Sequence, residues 1–242
     1  HKGLSLDFPE DQNICVLKGQ NGAGKTSVLE AIYYAGFVKS FRSRSGDDMI
    51  FWENDYFRIE LDLEGKDEEK YEVFYGKYPY NKRILKINEI EKPSIDFVGR
   101  VKTVLFTPRD ILMLTDQPSL RRAYINRLLI QTDRNFLSIF LKYQKALKQR
   151  NSLLKKNREI NREELAVWDE ELAKYGSQII QLRVGAIQFL AEKIQKHYKH
   201  ISGEKQSIAL EYRTNASDNP EEFRENIRLS FEKDRRYQIS SI

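Results

Sequence analysis

The octet Gly19-Gln20-Asn21-Gly22-Ala23-Gly24-Lys25-Thr26 narrows the possible folds of this chain more than any other feature. It fits G-x-x-x-x-G-K-[ST] at every fixed position. Glycines let the backbone curl with its N–H groups turned inward, which makes a nest for an anion. A helix start behind such a loop adds the positive end of its dipole. A lysine at position 25 reaches β- and γ-phosphates, and a threonine hydroxyl at 26 can ligate Mg²⁺. A chance match on a glycine-rich turn would lack the right surroundings. Here a short apolar run over 13–18 precedes the octet, as a buried strand would. A helix pattern follows from Ser27 to about Phe37, with Val28, Ile32 and Ala35 on one face. Strand, loop and helix together predict that Gly19, Gln20, Asn21, Gly22, Ala23, Gly24, Lys25 and Thr26 bind a nucleoside triphosphate, with Thr26 on the metal.

Composition sets the frame around that loop. The chain has 242 residues and a formal net charge of +5, large enough for one big or two small domains. No apolar run reaches the roughly 18–20 residues of a membrane span. The start carries no signal-peptide pattern, so the expected location is cytoplasmic, with no membrane partner. A single cysteine, Cys15, excludes an internal disulfide framework. It falls in the run before the loop and reads as a small packed apolar residue. The alternating Leu4-Ser5-Leu6-Asp7-Phe8 begins almost at the first residue, and the last residues stop mid-pattern. The expectation is a piece of a longer protein.

Beyond the first helix lies Lys39-Ser40-Phe41-Arg42-Ser43-Arg44. Lys39, Arg42 and Arg44 are candidates for phosphate of nucleotide or DNA, and a solvated basic loop is the alternative. Residues 56–64, 70–75 and 82–90 alternate apolar and polar, predicting an antiparallel meander with one covered face. A buried run over 102–106 ends at Thr107-Pro108. From Pro118 the pattern turns helical, and Asp133 can cap a second helix. A longer helix begins near Glu163, with apolar steps of three and four from Leu165 to Ile201. This predicts an antiparallel helical hairpin. Gly176 and Gly185 in it mark a bend or close packing. A strand pattern over 207–213 and a helix from Pro220 to about Lys233 close the chain. The expected organisation is an ATP-binding lobe over 1–108, a helical arm over 109–206, and a return towards the lobe over 207–242.

Charge concentrates on the arm. From Lys142 to Arg162 the net charge is +7, more than that of the whole chain. Lys148, Arg150, Lys155, Lys156 and Arg158 are therefore candidate contacts to DNA backbone, with solvated surface as the alternative. His197 and His200 lack a third ligand nearby and read as a helix-surface pair rather than a metal site.

The order of phosphate loop, meander, helical arm and return strand resembles an ABC-type ATPase head of the SMC/Rad50 kind. Several segments are similar to the RecF family. They are the loop with Leu29-Glu30-Ala31-Ile32-Tyr33, then Lys39-Ser40-Phe41-Arg42, Asp96-Phe97-Val98-Gly99 and Val104-Leu105-Phe106-Thr107-Pro108-Arg109-Asp110. Pro118-Ser119-Leu120-Arg121-Arg122, the stretch from Tyr143 to Asn151, Val167-Trp168-Asp169 and Leu172 extend the likeness through most of the chain. Arg109 and Asn126 stand where the family pattern has acidic residues. The resemblance implies an α/β fold: a P-loop ABC-type ATPase head, mixed sheet plus antiparallel meander, with a helical-hairpin subdomain. It implies that the family's first strand lies before His1, and that the signature and Walker B segments lie after Ile242. No catalytic residue is then expected within these 242.

For the intact protein the resemblance implies ATP and Mg²⁺ as cofactors and an ATP-dependent homodimer. It implies duplex DNA near single-strand gaps as partner. With RecO and RecR it would load RecA in repair, the SOS response and replication restart. Hydrolysis would be slow and DNA-stimulated, and this chain alone nearly inactive. Other readings remain open on the residues alone: another SMC/Rad50-like head, a P-loop kinase, or a binding module with a vestigial loop.

Overall fold

Two kinds of periodicity, two-residue and then three-to-four-residue, divide the chain, and the structure divides with them. The computed structural model describes residues 3–9, 11–64, 68–79, 81–115, 118–155, 162–203 and 206–241. It forms two compact units, His1–Asp110 and Ile111–Ile242.

In the first unit, helix α1 spans Lys25–Phe37. The strands β1 (Tyr56–Leu63), β2 (Glu69–Gly76), β3 (Lys82–Ile87) and β4 (Ile90–Glu91) make one antiparallel sheet in sequence order. Ile59 lies opposite Val73, and Val73 opposite Leu85. Side chains alternate across a strand, so Phe57, Ile59, Leu61, Tyr71, Val73, Leu85 and Ile87 share one face. That face packs on Tyr34 and Val38 from the α1 end, and on Phe97 and Val101. The helical turn α2 (Ser94–Phe97) supplies Phe97. The β3–β4 turn places Asn88 and Glu89 at φ 50° and 66°, the left-handed pair a tight hairpin needs. Gly36 lets the backbone approach closely: a Cβ there would stand 2.8 Å from the Val101 carbonyl oxygen.

Three predicted strands do not pair. Residues 13–18, 102–106 and 207–213 have no ladder among the described residues. Ile14 is 80% exposed and Phe106 79%, and Cys15 is exposed rather than packed. An apolar run becomes a strand only when a second run takes up its N–H and C=O groups, and no described segment does so here.

The second unit is helical. It holds α3 (Leu112–Thr115), α4 (Pro118–Thr132), α5 (Phe136–Lys155), α6 (Arg162–Ser202) and α7 (Pro220–Tyr237). Asp133 caps α5, its Oδ1 accepting from the Asn135 and Phe136 N–H groups at 2.8 and 3.3 Å. Asn219 caps α7 in the same way, accepting from Glu221 and Glu222. Phe136 packs with Ile179, and Ala146 with Leu172 and Ala173. Arg150 bonds Asp169. Contacts that descend α5 while ascending α6 make the hairpin antiparallel, as the seam predicts. Phe223 and Ile227 of α7 close the same cluster. Gly176 is the close-packing position: a Cβ there would meet the Phe223 ring at 2.6 Å. Gly185 faces open space.

Candidate functional site

The loop before α1 has the conformation its glycines permit. Gly22 and Gly24 take φ 84° and 86°, angles that a side chain resists. The Ala23 N–H bonds the Gln20 carbonyl at 3.2 Å and tightens the turn. No side chain caps α1 at Gly24, so its first-turn N–H groups keep their donor capacity. Lys25 Nζ folds back to donate to the Gly19 and Gln20 carbonyls at 2.8 and 2.7 Å. Thr26 is exposed, and a Cβ at Gly22 would meet nothing within 4 Å. The lysine ammonium, the uncapped N–H donors and the exposed threonine thus sit together on the loop and the first turn of the helix, with open space at Gly22. That donor set fits a polyphosphate with its metal.

Downstream of α1 the basic loop is tied back to the helix. Glu30, buried at 7% exposure, accepts from the Ser40 hydroxyl and from Arg42 Nη1 at 3.3 Å. Ser40 Oγ in turn accepts from the Arg42 and Ser43 N–H groups, both at 2.9 Å. Tyr33 stacks edge-on against Phe41. Lys39 and Arg44 are exposed, and the Arg42 side chain is half exposed. The pattern of residue types singled out Arg42 but not Glu30, whose partners lie 10 and 12 residues away. No local spacing reports such a link.

On the arm the candidate cations separate. Lys148 and Lys155 are exposed. Lys156 and Arg158 lie outside the described residues. Arg150 is a correction: its side chain is 1% exposed. Its Nε donates to Asp169 Oδ1 and its Nη1 to Asp234 Oδ2, both at 2.6 Å, with Ser240 Oγ at 2.8 Å. A guanidinium enclosed by two carboxylates is not offered to DNA. Burial pushes the Asp169 carboxyl up, against the pull of Arg150 and with a further rise from Asp234. His197 and His200 are exposed on α6. Among the described residues no group of three His, Cys, Asp or Glu is placed to hold a metal. No described helix is long and apolar enough to cross a membrane.

Comparison with known proteins then decides the family. A profile described as an AAA domain matches residues 1–236. The DNA replication and repair protein RecF of Leptospira interrogans serovar copenhageni is 33% identical over 245 residues. That alignment takes in 100% of this chain and 66% of that protein. This chain belongs to the RecF family. RecF of Clostridium perfringens (strain 13 / Type A) is 32% identical over 219 residues, 90% of the chain and 60% of that protein. The chain thus spans no more than about two thirds of these RecF relatives. A solved structure of the recombination mediator protein RecF-ATP in the RecFOR pathway matches with TM-score 0.81 and 28% identity. It covers 92% of this chain and 62% of the other. A second, RecF-ATPrS, gives TM-score 0.82 at 27% identity, with 93% and 63% covered. The α/β RecF head architecture follows from these matches.

The two departures from the RecF pattern have structural answers. Asn126 Oδ1 accepts from Arg183 Nε at 3.0 Å, so the amide serves as the neutral acceptor. Arg109 is exposed in the turn Pro108–Ile111. The ordering contact in that turn is made by Asp110, which accepts from the Thr107 N–H and hydroxyl at 2.6 and 2.7 Å.

Proposed function

We propose that this chain is the nucleotide-binding part of a RecF-type ATPase that acts on DNA in recombinational repair. One observation carries the reading: the uncapped start of α1 opens onto a loop whose Gly22 and Gly24 take left-handed angles, with Lys25 folded over it. In this reading the N–H groups of Gly22, Gly24, Lys25 and Thr26 hold the phosphates of ATP, while that of Ala23 keeps the turn. Lys25 leaves the Gly19 and Gln20 carbonyls for the β- and γ-oxygens, and the Thr26 hydroxyl meets Mg²⁺. A Mg²⁺ held there would supply charge neutralisation for the phosphates. The ATP-bound form of a structural relative supports the assignment.

For the whole protein the proposal is an ATP-dependent homodimer with nucleotide between two heads. Binding then stabilises the dimer, and hydrolysis releases it. The dimer sits on duplex DNA near single-strand gaps and, with RecO and RecR, promotes RecA loading and replication restart. Lys148 and Lys155 on the arm, with Lys39, Arg42 and Arg44, supply cations for DNA or nucleotide phosphate. Affinity for DNA then falls steeply with salt. Turnover by this chain alone is expected to be negligible.

Sedimentation of the full-length polypeptide tests the core of this. ATP should convert monomer to dimer, and Lys25→Met should abolish the conversion. Dimers that form equally with and without ATP would remove the clamp from the proposal. Rapid turnover by residues 1–242, lost in Lys25→Ala, would place the whole catalytic apparatus inside this chain.

A further inference from the structure

The carboxylate of Glu30 is the buried charge on the helix that carries Lys25 and Thr26. Both of its oxygens are spent on the loop 39–44: Oε1 on the Ser40 hydroxyl and Oε2 on Arg42 Nη1. The Ser40 hydroxyl is used in full, as donor to Glu30 and as acceptor from two backbone N–H groups of the same loop. Glu30 therefore fixes the loop's backbone as well as one side chain. Arg42 gives one nitrogen to this bond, and its side chain stays half exposed. Thr26 and Glu30 are four residues apart on α1 and so lie on one helix face, about 5–6 Å apart at Cβ. Glu30, the anchor of the Arg42 guanidinium, therefore stands one helical turn from the residue whose hydroxyl is assigned to the metal.

We propose that Glu30 is a positioning residue: through Ser40 and Arg42 it holds a guanidinium at the terminal-phosphate end of the nucleotide, so that this loop distinguishes a triphosphate from a diphosphate. The inference rests on the nucleotide reading of residues 19–26. It adds that discrimination between the two nucleotides depends on a residue that touches neither. A buried carboxylate is suited to this role because its pairing with Arg42 limits where the fork can point.

The test uses the full-length polypeptide and equilibrium binding of Mg·ATP and Mg·ADP by calorimetry. Glu30→Gln keeps an acceptor for Ser40 and removes the charge that holds Arg42. Its ATP affinity should fall by about tenfold, the scale of one charge-assisted hydrogen bond, while ADP affinity changes less than about twofold. Ser40→Ala should shift the ATP-to-ADP ratio in the same direction by a smaller factor. In an Arg42→Ala background, Glu30→Gln should have no further effect on that ratio. Equal losses for both nucleotides together with a lower melting temperature would reduce Glu30 to a structural residue and overturn the proposal. So would a full Glu30→Gln effect that persists without Arg42. Lys25→Ala separates the two levels. If it leaves both nucleotides bound, the nucleotide site itself is wrong. If it abolishes both while Glu30→Gln leaves the ratio unchanged, only the positioning role fails.

Discussion

Arg150 offers the sharpest test of how the arm is held together. Its guanidinium is 1% exposed, Asp234 is 0% exposed and the Asp169 side chain 20%. Replacement by Met keeps most of the apolar stem and removes the charge. Asp169 then loses its guanidinium, and Asp234 remains in the interior with hydroxyl and N–H partners but no cation. Asp234 would keep Ser230 Oγ and the Ser241 N–H at 3.0 and 2.9 Å, which neutralise nothing. Breaking a buried pair from one side costs about 3–5 kcal/mol, so Arg150→Met should lose that much unfolding free energy at pH 7. Urea unfolding of residues 1–242 followed by Trp168 fluorescence reads the second unit, because Trp168 packs on its core. A Trp52→Phe background removes the only other tryptophan. The pH dependence fixes the cause. Without Arg150 the Asp169 carboxyl, already raised by burial, loses the cation that pulls it down. A carboxyl raised in the folded state contributes stability at low pH that is lost as pH rises through the carboxylate range. The deficit should therefore shrink on acidification towards pH 4. In the intact protein the Asp169 carboxyl is already raised by burial, so Asp169→Asn should cost under about 1 kcal/mol at pH 7. Asp234→Asn should cost more. A loss below about 1 kcal/mol in Arg150→Met, or one unchanged by acid, would refute the reasoning.

Asn126→Asp turns the bond from the Arg183 guanidinium into an ion pair and should raise stability by about 0.5–1 kcal/mol in denaturant unfolding. Gly185→Ala, with open space around it, should stabilise by about 0.4–1 kcal/mol, whereas Gly36→Ala should destabilise the first unit because its Cβ would meet a backbone oxygen. Tyr71 is raised from 10.0 to about 12 by burial, with Glu69 adding to the rise; the stability this gives is present below pH 10 and lost as pH climbs towards 12. Ultraviolet titration of the chain minus that of Tyr71→Phe should show this ionisation only near the upper value. Reversing Lys148 and Lys155 to Glu in the full-length protein should weaken DNA binding and flatten its salt dependence, read by anisotropy at several salt concentrations.

What the sequence disclosed tracks how far each residue's partner lies along the chain. Asp133 was legible as a cap, because a cap bonds N–H groups two and three residues on; the Asn219 cap was not named, although the helix start at Pro220 was. The β1–β2–β3 meander was legible because its alternation repeats in adjacent runs that pair with one another. The α5–α6 seam was legible for the same reason, and so was the phosphate loop, whose geometry is held within eight residues. The apolar runs over 13–18 and 102–106 also read as strands, yet no described segment pairs with either. Apolar character states that a run can be buried, but it does not supply the neighbour. Arg150 shows the opposite failure. Its basic neighbours made it look like surface, although its partners Asp234 and Ser240 lie 84 and 90 residues away. A cation's role is set by the carboxylate it meets, and for Arg150, as for Arg42 with Glu30, that carboxylate is invisible to local charge counting. The same consideration divides the basic candidates by chemistry. Lys148 and Lys155 keep exposed ammonium groups and remain available to a polyanion. Arg42 is half engaged and can act only where Glu30 allows. Arg150 belongs to the interior. The cations of this RecF-family chain are therefore sorted by distant acidic partners, and substitutions at Glu30 and Asp234 should alter function and stability respectively without touching nucleotide or DNA.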